Sequence, residues 1–377
     1  MSTPRDQDNS AQLADAVKTA ADHRSPLAIR GGGSKARYTA PARGTPLDVT
    51  GHRGIVSYEP TELVITARAG TPLAEIEAAL AEHQQVLGFE PPHFADGIEA
   101  RGAGHGRPAC AFGPTATLGG TLACGFSGPR RPYAGSARDF VLGARILNGR
   151  GESLKFGGQV MKNVAGYDLS RLMVGSYGTL GVILEASLKI LPKPARDLTL
   201  VFELPAADAI ERMATWAGRP LPLSAAAHQG DSLYIRLSGP DTAVQSARAR
   251  LGGELLATGD TFWEELREHR LAFFRDPRPL WRLSVPPATA PLALAGEWLL
   301  DWGGAQRWLK SDASRVTIES AATAAGGSAR PFGGDGPFGP VSGTLEALNA
   351  AIRNALDPFG LFSAASRFHP VPEQEAS

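Results

Sequence analysis

Short apolar runs and glycine-rich turns alternate over the first third of the chain. Residues 27–30 form a predicted strand that runs directly into three glycines. Further short strands are predicted at 47–50, 56–58 and 63–67. A helix is predicted after them, with Pro72 at its first position and Thr71 as its cap. Ahead of these elements, a first helix has an apolar face made of Leu13, Ala16, Val17 and Ala20.

Glycine is concentrated in the next stretch, where 18 of the 44 glycines lie between Gly102 and Gly181. Strand signals interrupt this stretch, so it is not a flexible linker. Residues 141–148 predict a strand, Asn148-Gly149 a two-residue hairpin turn, and 152–156 the returning strand. Residues 181–191 predict another strand. So many glycines indicate unusual backbone angles or close approach to a ligand.

The pattern changes after residue 195, where strands and helices alternate with short connections. Strands are predicted at 199–204, 233–238, 254–257 and 280–285. Helices are predicted at 206–216, 243–251 and 262–269. This alternation is typical of a ferredoxin-like α+β layer. A last helix carries Leu345, Leu348, Ile352 and Leu356 on one face, and Asp357-Pro358 ends it. No repeat of fixed period is found in the sequence.

These patterns predict an α+β protein of two main domains, in keeping with a length of 377 residues. We divide the chain into an N-terminal helix (1–25), a first α+β domain built on glycine loops (26–194), an α+β cap domain (195–340) and a C-terminal helix and tail (341–377).

Charge and composition exclude several classes of function. Lys and Arg total 38, as do Asp and Glu, so no global field attracts nucleic acid or an anionic membrane. Cys110 and Cys124 are too few to hold an iron–sulfur cluster. No secretory signal and no run of about 18 apolar residues is visible, so we expect no membrane insertion and a cytoplasmic protein unless a partner tethers it.

The standard nucleotide and zinc signatures are absent. The sequence has no P-loop, no G-x-G-x-x-G in a βαβ unit and no H-E-x-x-H, and its eight histidines are scattered. What it offers instead is glycine loops without acid–base residues, as in proteins whose cofactor supplies the reaction. Gly31, Gly32 and Gly33, followed by Ser34 and Lys35, can direct backbone N–H groups, a hydroxyl and a positive charge at a diphosphate. Alone, this loop is equally consistent with an ordinary turn.

Three further loops make the pattern specific: 113–121 (GPTATLGGT), 162–169 (KNVAGYDL) and 175–183 (GSYGTLGVI). With them the chain resembles the PCMH-type FAD-binding domain of the vanillyl-alcohol oxidase superfamily. From Pro129 to Pro194 it looks most like the FAD-binding subunits of bacterial glycolate oxidase, also called glycolate dehydrogenase. The resemblance is densest over 26–194. It implies a two-subdomain FAD-binding domain followed by the ferredoxin-like cap.

The resemblance also implies the residues that hold FAD. Those assigned to the pyrophosphate are Gly31, Gly32, Gly33, Ser34, Lys35, Pro114, Gly119 and Gly120. Those assigned to the flavin side are Ala123, Gly125, Gly128 and Gly135. Those assigned to the adenine and ribose side are Gly181, Val182 and Ile183. Ser34 stands where covalently flavinylated relatives carry a linking histidine, so we expect noncovalent FAD. At these glycines a Cβ is expected to collide with the cofactor.

The sequence departs from its catalytic relatives in several places. Tyr177 occupies a position that is commonly Glu, and residues 95–112, with His105 and Cys110, look like an insertion. In place of clustered metal-binding histidines, the second half offers only His228, His269 and His369. We therefore expect no metal site. Arg130 and Arg131 are candidates for the substrate carboxylate or the FAD phosphates, with a solvated basic loop as the alternative.

By resemblance, the chain is expected to be the FAD-binding subunit of a multi-subunit glycolate dehydrogenase. It would oxidise glycolate, a small 2-hydroxy acid, to glyoxylate, and pass electrons to an iron–sulfur subunit and quinone. A second FAD-binding catalytic subunit is the other expected partner, and these subunits could hold the chain at the inner membrane. The alternatives are a self-sufficient FAD-dependent 2-hydroxy-acid dehydrogenase and a non-catalytic scaffold stabilised by FAD. Because no base can be named in the cap, we expect the lone chain to oxidise glycolate slowly or not at all.

Overall fold

In the computed structural model, the structure describes residues 6–38, 44–94, 115–158, 169–333 and 343–362. The first domain combines short helices with an antiparallel sheet. Its elements are α1 (Ser10–Asp22), β1 (Leu27–Arg30), β2 (Thr45–Asp48), β3 (Ile55–Glu59), β4 (Val64–Arg68), α2 (Leu73–Glu82), β5 (Gln85–Val86), α3 (Leu118–Cys124), α4 (Arg131–Ala134), α5 (Ala137–Phe140), β6 (Val141–Leu147), β7 (Ser153–Gly157), α6 (Leu169–Leu172), β8 (Val182–Lys189) and β9 (Leu191–Pro192).

Two sheets form the frame of this domain. The larger has the order β3-β4-β8-β6-β7, with every neighbouring pair antiparallel. In the smaller, β1 and β2 pair in parallel, with Leu27 opposite Thr45. The main core lies between the large sheet and helices α2 and α3, where Leu73, Ile76 and Leu118 are almost fully buried. The glycine turn after β1 therefore starts from a packed strand.

The second domain is built on one eight-stranded antiparallel sheet. Its elements are β10 (Arg196–Glu203), α7 (Ala206–Ala217), β11 (Leu223–Gln229), β12 (Ser232–Gly239), α8 (Asp241–Leu251), β13 (Glu254–Leu255), α9 (Gly259–Arg267), α10 (Ala272–Arg275), β14 (Leu280–Ser284), β15 (Glu297–Asp301), β16 (Gln306–Lys310), α11 (Arg315–Ala324) and β17 (Ser328–Pro331). The strand order is β13-β10-β12-β11-β15-β16-β14-β17.

This order contains the same four-strand unit twice. Strands β10 to β13 are arranged fourth, first, third, second, the order of a ferredoxin-like βαββαβ unit, and β14 to β17 have that order in reverse. The two units join where β11 pairs with β15. In the second unit, a loop over 285–296 replaces the first crossover helix. Buried Arg307 holds this loop by donating to the carbonyl oxygens of Thr289 and Ala290.

The chain returns to the first domain after the cap. Helix α12 (Gly343–Leu356) ends before Asp357, whose carboxylate accepts from the N–H groups of Leu361 and Phe362. The side chains of those two residues pack with α1. In the described part of the chain, no helix is both long enough and apolar enough to cross a membrane.

The sequence predictions agree with the structure in the overall fold and differ from it in several elements. Strand β1 has the predicted bounds, and the ferredoxin-like cap is confirmed, although β11, β15, β16 and β17 were missed. The two-residue hairpin turn is wrong, because Leu147 pairs with Ser153 and the loop spans 148–152. Thr71 does not cap α2. Its hydroxyl instead bonds the N–H and carbonyl of Gly54, at 2.9 and 3.1 Å.

Candidate functional site

The glycine loop after β1 packs against the segment that leads into α3. The Thr115 N–H donates to the Gly32 carbonyl at 3.0 Å, and Gly33 forms a parallel bridge with Thr115. Thr117 caps α3 by accepting from the Gly120 N–H at 3.4 Å. The two loops assigned to the pyrophosphate are therefore adjacent, as the prediction requires. Pro114 lies outside the described residues.

At several positions in these loops, packing against other protein atoms alone requires glycine. A Cβ on Gly32 would lie 1.8 Å from the Thr115 carbonyl oxygen, and one on Gly119 would lie 2.7 Å from the Ala69 Cβ. At Gly120, by contrast, the Cβ would meet only the Thr117 hydroxyl, at 3.2 Å. Collision with FAD is therefore not needed to explain Gly32 or Gly119, whereas Gly120 borders open space.

A third loop, residues 173–181, completes this region. The N–H groups of Gly175 and Tyr177 donate to the carbonyls of Leu122 and Ala123 in α3. A Cβ on Gly175 would have no atom within 4 Å. Two buried hydroxyls in these segments, Thr121 Oγ1 and Ser176 Oγ, have no hydrogen-bond partner. Open space beside buried polar atoms without partners fits a polar ligand. We name the three segments 31–35, 115–125 and 173–181 the loop region.

Lys35 brings a buried positive charge to the loop region. Its side chain is 5% exposed, and its Nζ donates to Ser34 Oγ at 3.3 Å. Burial lowers the pKa of Lys35 to about 8, although the charges of Cys124 and Glu268 act in the opposite direction. A buried ammonium hydrogen-bonded to a neutral hydroxyl suits an anionic ligand. The loop region therefore has the chemistry that an FAD diphosphate requires.

The remaining residues assigned to FAD lie in different surroundings. Ala123 and Gly125 (φ +66°) form the end of α3, facing the third loop. Gly128 packs on Glu90 and lines the cleft described below, while Gly135 adopts φ +109° beside Asp139. Just before β8, Gly181 packs on the Leu147 carbonyl. The side chain of Val182 is buried in the apolar cluster that includes α1, and that of Ile183 is buried in the main core.

Arg130 is engaged by an ion pair network that joins the two domains. Glu90 accepts from Arg130 Nε at 3.1 Å and from Arg236 Nη2 of the cap at 2.8 Å. Burial would raise the pKa of Glu90, but the two guanidiniums outweigh it and hold this pKa below its usual value. Arg131 lies over the indole ring of Trp302, 4.1 Å from its centroid. The structure therefore gives Arg130 a structural partner, and its substrate role stays a prediction.

A cleft opens between the two domains. Aromatic rings form much of its wall, with Phe94 and Phe126 from the first domain and Trp308 and Phe332 from the cap. The polar residues that line it include Ser127, Arg267, His269, Arg282, Asp301 and Gln306. An apolar cavity with a few convergent polar groups is the usual form of a small-molecule site.

Three of these polar residues form a chain of hydrogen bonds across neighbouring strands. Arg282 Nε donates to Gln306 Oε1 at 2.6 Å, and Gln306 Nε2 donates to Asp301 Oδ2 at 3.1 Å. Burial raises the pKa of Asp301 to about 7, against the opposing effect of these donors and of Arg282. Burial, followed by the charge of Arg330, lowers the pKa of Arg282 to about 9. The cleft thus holds a carboxyl that titrates near neutral pH beside a charged guanidinium.

The turn after Asp301 has an unusual backbone. Trp302, Gly303 and Gly304 have φ values of +53°, +64° and +93°. A tryptophan in this region is a genuine outlier, and such strain collects at functional sites. The Asp301 carboxylate accepts from the Trp302 N–H at 2.7 Å, and Trp302 Nε1 donates to the Gly128 carbonyl at 3.0 Å. The strained turn therefore fixes Asp301 and ties the cap to the first domain.

Among the described residues, each of the candidate histidines has its own separate partner. His228 bonds the Leu204 carbonyl at 2.9 Å, whereas His269 stacks on Phe274 in the aromatic cluster. His93, which lies in the loop before the 95–112 segment, pairs with Glu77 at 2.9 Å. His369 and the 162–168 loop lie outside the described residues. Within the described ranges, no group of three or more His, Cys, Asp or Glu side chains is arranged to hold a metal ion.

Comparison with known proteins defines the class of protein. A family model described as an FAD binding domain matches residues 7–105. Two solved structures of alkyldihydroxyacetonephosphate synthase align with 95% and 96% of this chain and about three quarters of their own, with TM-scores of 0.61 and 0.63 at 15% and 14% identity. These likenesses confirm the α+β, PCMH-type fold. The chain is an FAD-dependent flavoprotein of the oxidoreductase class.

The particular family follows from sequence similarity over nearly the whole length. The chain is 49% identical over 360 residues to the glycolate oxidase subunit GlcE of Escherichia coli (strain K12), covering 95% of this chain and 97% of that protein. It belongs to this family of glycolate oxidase subunits. A shorter match, 44% over 85 residues, links it to the glycolate oxidase subunit GlcD of Bacillus subtilis (strain 168), covering 22% and 18% of the two chains.

The cleft residues were missed by the sequence analysis. Arg282, Asp301 and Gln306 come from three strands, and two of those strands were not predicted. The sequence of 297–304 (EWLLDWGG) does carry a signal, because an acid follows an apolar run and two glycines come one residue after it. A charged residue at the end of a buried strand, followed by a glycine turn, is a reasonable marker of a site.

Proposed function

We propose that this chain is the FAD-binding subunit of a multi-subunit glycolate dehydrogenase. In this proposal it oxidises glycolate to glyoxylate, and the electrons leave through an iron–sulfur subunit to quinone. The observation that carries it is the 49% identity with E. coli GlcE across both chains. Both relatives are named as subunits of glycolate oxidase, which supports the presence of partner subunits, and a second FAD-binding subunit is part of the proposal.

A partner subunit is needed because the proposed path takes electrons from the flavin to an iron–sulfur cluster. Two cysteines in the sequence are fewer than the four thiolates that an iron–sulfur cluster usually takes. The cluster must therefore be held by another chain. We propose a cytoplasmic location, with attachment to the inner membrane only through such partners.

The loop region and Lys35 are the residues proposed to hold FAD. The diphosphate would meet the backbone N–H groups of 31–35, the start of α3 and the Lys35 ammonium. These residues would hold FAD, which would supply the acceptor for a hydride from the substrate α-carbon. We propose that FAD is bound noncovalently, because residue 34 is a serine and not a histidine or cysteine that could form the linkage. Acid denaturation should then release all flavin into the supernatant, and flavin retained on the precipitate would contradict this.

The cleft contains a candidate acid–base group, which the sequence did not indicate for the lone chain. Asp301 has a pKa of about 7 and lines the cleft, so it suits acceptance of the hydroxyl proton near neutral pH. A placed base contributes about 100- to 10,000-fold to such reactions. We therefore propose that the lone chain supports oxidation of glycolate with an artificial acceptor, and that only transfer to quinone needs the partner.

Steady-state turnover of the lone chain and of the reconstituted complex tests the proposal. Each is assayed with glycolate and either an artificial acceptor or quinone, at the same pH and flavin content. We expect both preparations to reduce the artificial acceptor and only the complex to reduce quinone. A lone chain that reduces quinone as fast as the complex would favour the self-sufficient dehydrogenase. A lone chain that retains FAD but reduces neither acceptor would favour the scaffold.

A further inference from the structure

Arg282 presents an unused hydrogen-bonding edge to the cleft. Its Nε is bonded to Gln306, but no described residue accepts a hydrogen bond from Nη1 or Nη2. Its Cζ lies 5.0 Å from the ring centroid of Trp302 and 5.9 Å from that of Trp308. The guanidinium is thus held at Nε and by its contact with indole rings. Its two terminal nitrogens match the spacing of a carboxylate.

The charges around Arg282 favour an anion. Arg330 lies directly opposite it on β17, and its charge lowers the pKa of Arg282. Arg131 also lowers this pKa and contacts the same indole ring of Trp302. Glu90 is already committed to two other guanidiniums. Arg282 therefore lies among other guanidiniums, with Asp301 as a carboxyl whose charge acts on it in the opposite direction.

The wall of the cleft suits a small organic anion. Its aromatic rings suit the carbon atoms of an organic acid, and its polar residues suit the acid's oxygen atoms. In an environment of low polarity, a guanidinium–carboxylate contact is stronger than in bulk water. A small carboxylate fits both the guanidinium and the mixed apolar and polar wall of the cleft.

We propose that Arg282 binds the carboxylate of the 2-hydroxy acid in this cleft and that Gln306 positions the guanidinium for that contact. The identity of the acid rests on the proposed function, whereas the choice of Arg282 rests on the geometry. The assignment places the carboxylate anchor in the cap, at β14, rather than at the predicted Arg130 and Arg131.

Asp301 makes this binding dependent on pH. The charged and titratable groups facing it are Arg282 from β14, Glu90 from the loop after β5, and Tyr133 from α4. Burial raises the pKa of Tyr133 to about 12, so among these groups Asp301 changes charge near neutral pH. Its ionisation adds a negative charge to the cleft. Anion affinity should therefore fall several-fold as the pH rises through about 7.

Oxalate is a suitable probe because it has two carboxylates and no hydrogen on carbon to be transferred. Its dissociation constant is measured by calorimetry on the FAD-loaded full chain, so the readout does not depend on turnover. Arg282→Gln should raise this constant about 10- to 100-fold, in line with loss of a charged hydrogen bond. Arg278→Gln is the matched control, because its side chain pairs with Asp276 outside the cleft and should leave binding unchanged.

A double-mutant cycle tests the positioning role of Gln306. If Gln306→Met acts through Arg282, it should weaken oxalate binding in the native background and have no further effect in Arg282→Gln. Equal effects in both backgrounds would contradict a positioning role. In Asp301→Asn the fall in affinity with pH should disappear, and a fall that persists would overturn the assignment of the pH dependence to Asp301.

The outcomes separate this inference from the proposed function. Unchanged oxalate binding in Arg282→Gln, with normal flavin content and thermal stability, would overturn the inference even if the complex oxidises glycolate. Conversely, Arg282-dependent oxalate binding in a chain that never oxidises glycolate would sustain the anion site and overturn the proposed function. Should Arg282→Gln fail to fold, Arg282→Lys serves in its place, because it keeps the charge and loses the paired donors.

Discussion

The loop region and the interdomain cleft are formed by different kinds of chemical group. The loop region is formed mainly by backbone N–H and C=O groups on closely packed glycines, with one buried ammonium at Lys35. The cleft is formed by side chains, and its properties depend on Arg282, Asp301 and Gln306. Backbone groups can hold a diphosphate without changing charge, whereas a reacting acid needs a proton acceptor and a fixed carboxylate. In the proposed function, the loop region would retain the diphosphate of the cofactor and the cleft would bind the substrate.

The largest effect is expected in the loop region. Gly32→Ala places a Cβ 1.8 Å from the Thr115 carbonyl and should break the pairing of the two loops. We expect loss of bound flavin together with a lower melting temperature, measured by the flavin-to-protein ratio and calorimetry.

Gly120→Ala sharpens the same test. Its Cβ would meet only the Thr117 hydroxyl, at 3.2 Å, so the apoprotein should keep its stability. If FAD approaches Gly120 closely, this variant should still lose flavin. Full flavin content in Gly120→Ala would contradict the proposed role of the start of α3.

The ion pair network between the domains should give the next largest effect. Glu90→Gln leaves Arg130 and Arg236 buried without their counter-charge, and removing one partner of such a network costs about 3 to 5 kcal/mol. Urea denaturation measures the change. Asp15→Asn, which removes an exposed pair with Lys18, is the control and should have no measurable effect. Similar losses in both variants would show that burial of the network is unimportant.

The pH dependence of stability tests the buried carboxyl of the cleft. The folded-state pKa of Asp301, about 7, lies above its unfolded value of 3.8, so the folded protein binds the proton more tightly. Its contribution to stability is therefore present at low pH and is lost as the pH rises from about 4 to 7, by about 1.4 kcal/mol per unit.

Asp301→Asn should remove this dependence. The difference in free energy of unfolding between Asp301→Asn and the native chain should shift in favour of the variant between about pH 5 and pH 7 and then level off. Denaturation at several pH values measures it. A constant difference across this range would show that Asp301 has an ordinary pKa.

The smallest effect is expected for the Thr71 hydroxyl, whose hydrogen bonds are made to Gly54, outside both regions. Thr71→Val removes the hydroxyl that bonds the N–H and carbonyl of Gly54 in the first domain. An unsatisfied buried N–H costs about 1 to 3 kcal/mol. Chemical denaturation should show this loss with flavin content and oxalate binding unchanged. A loss of flavin would extend the cofactor site beyond the loop region.

The two regions also differ in how far the sequence predicts them. The loop region is contiguous, because glycine triplets and small residues follow one another, and the structure does bring 31–35 and 115–120 together. The cleft is assembled by the order of strands in the cap. Asp301 and Gln306 face each other across β15 and β16, and Arg282 joins them from β14. No local pattern specifies which strands become neighbours.

Some errors came from residues with more than one possible role. Thr71 precedes Pro72 at a helix start, which favours a cap, but tertiary contact with Gly54 takes its hydroxyl. Asn148-Gly149 favours a two-residue turn. Here Asn148 Oδ1 instead accepts from the N–H groups of Arg150 and Glu152, which stabilises a longer loop. In both cases a side-chain hydrogen bond, invisible in the sequence, decides the local structure.

Anaerobic mixing of the lone FAD-loaded chain with glycolate tests the central claim most directly, that this chain holds both the flavin and its substrate. The visible absorbance band of oxidised flavin is followed after mixing, with Arg282→Gln as the comparison. We predict that glycolate bleaches the band in the native chain and that the variant needs about 10- to 100-fold more glycolate for the same rate. An unchanged band in the native chain at saturating glycolate, with FAD fully bound, would contradict the account.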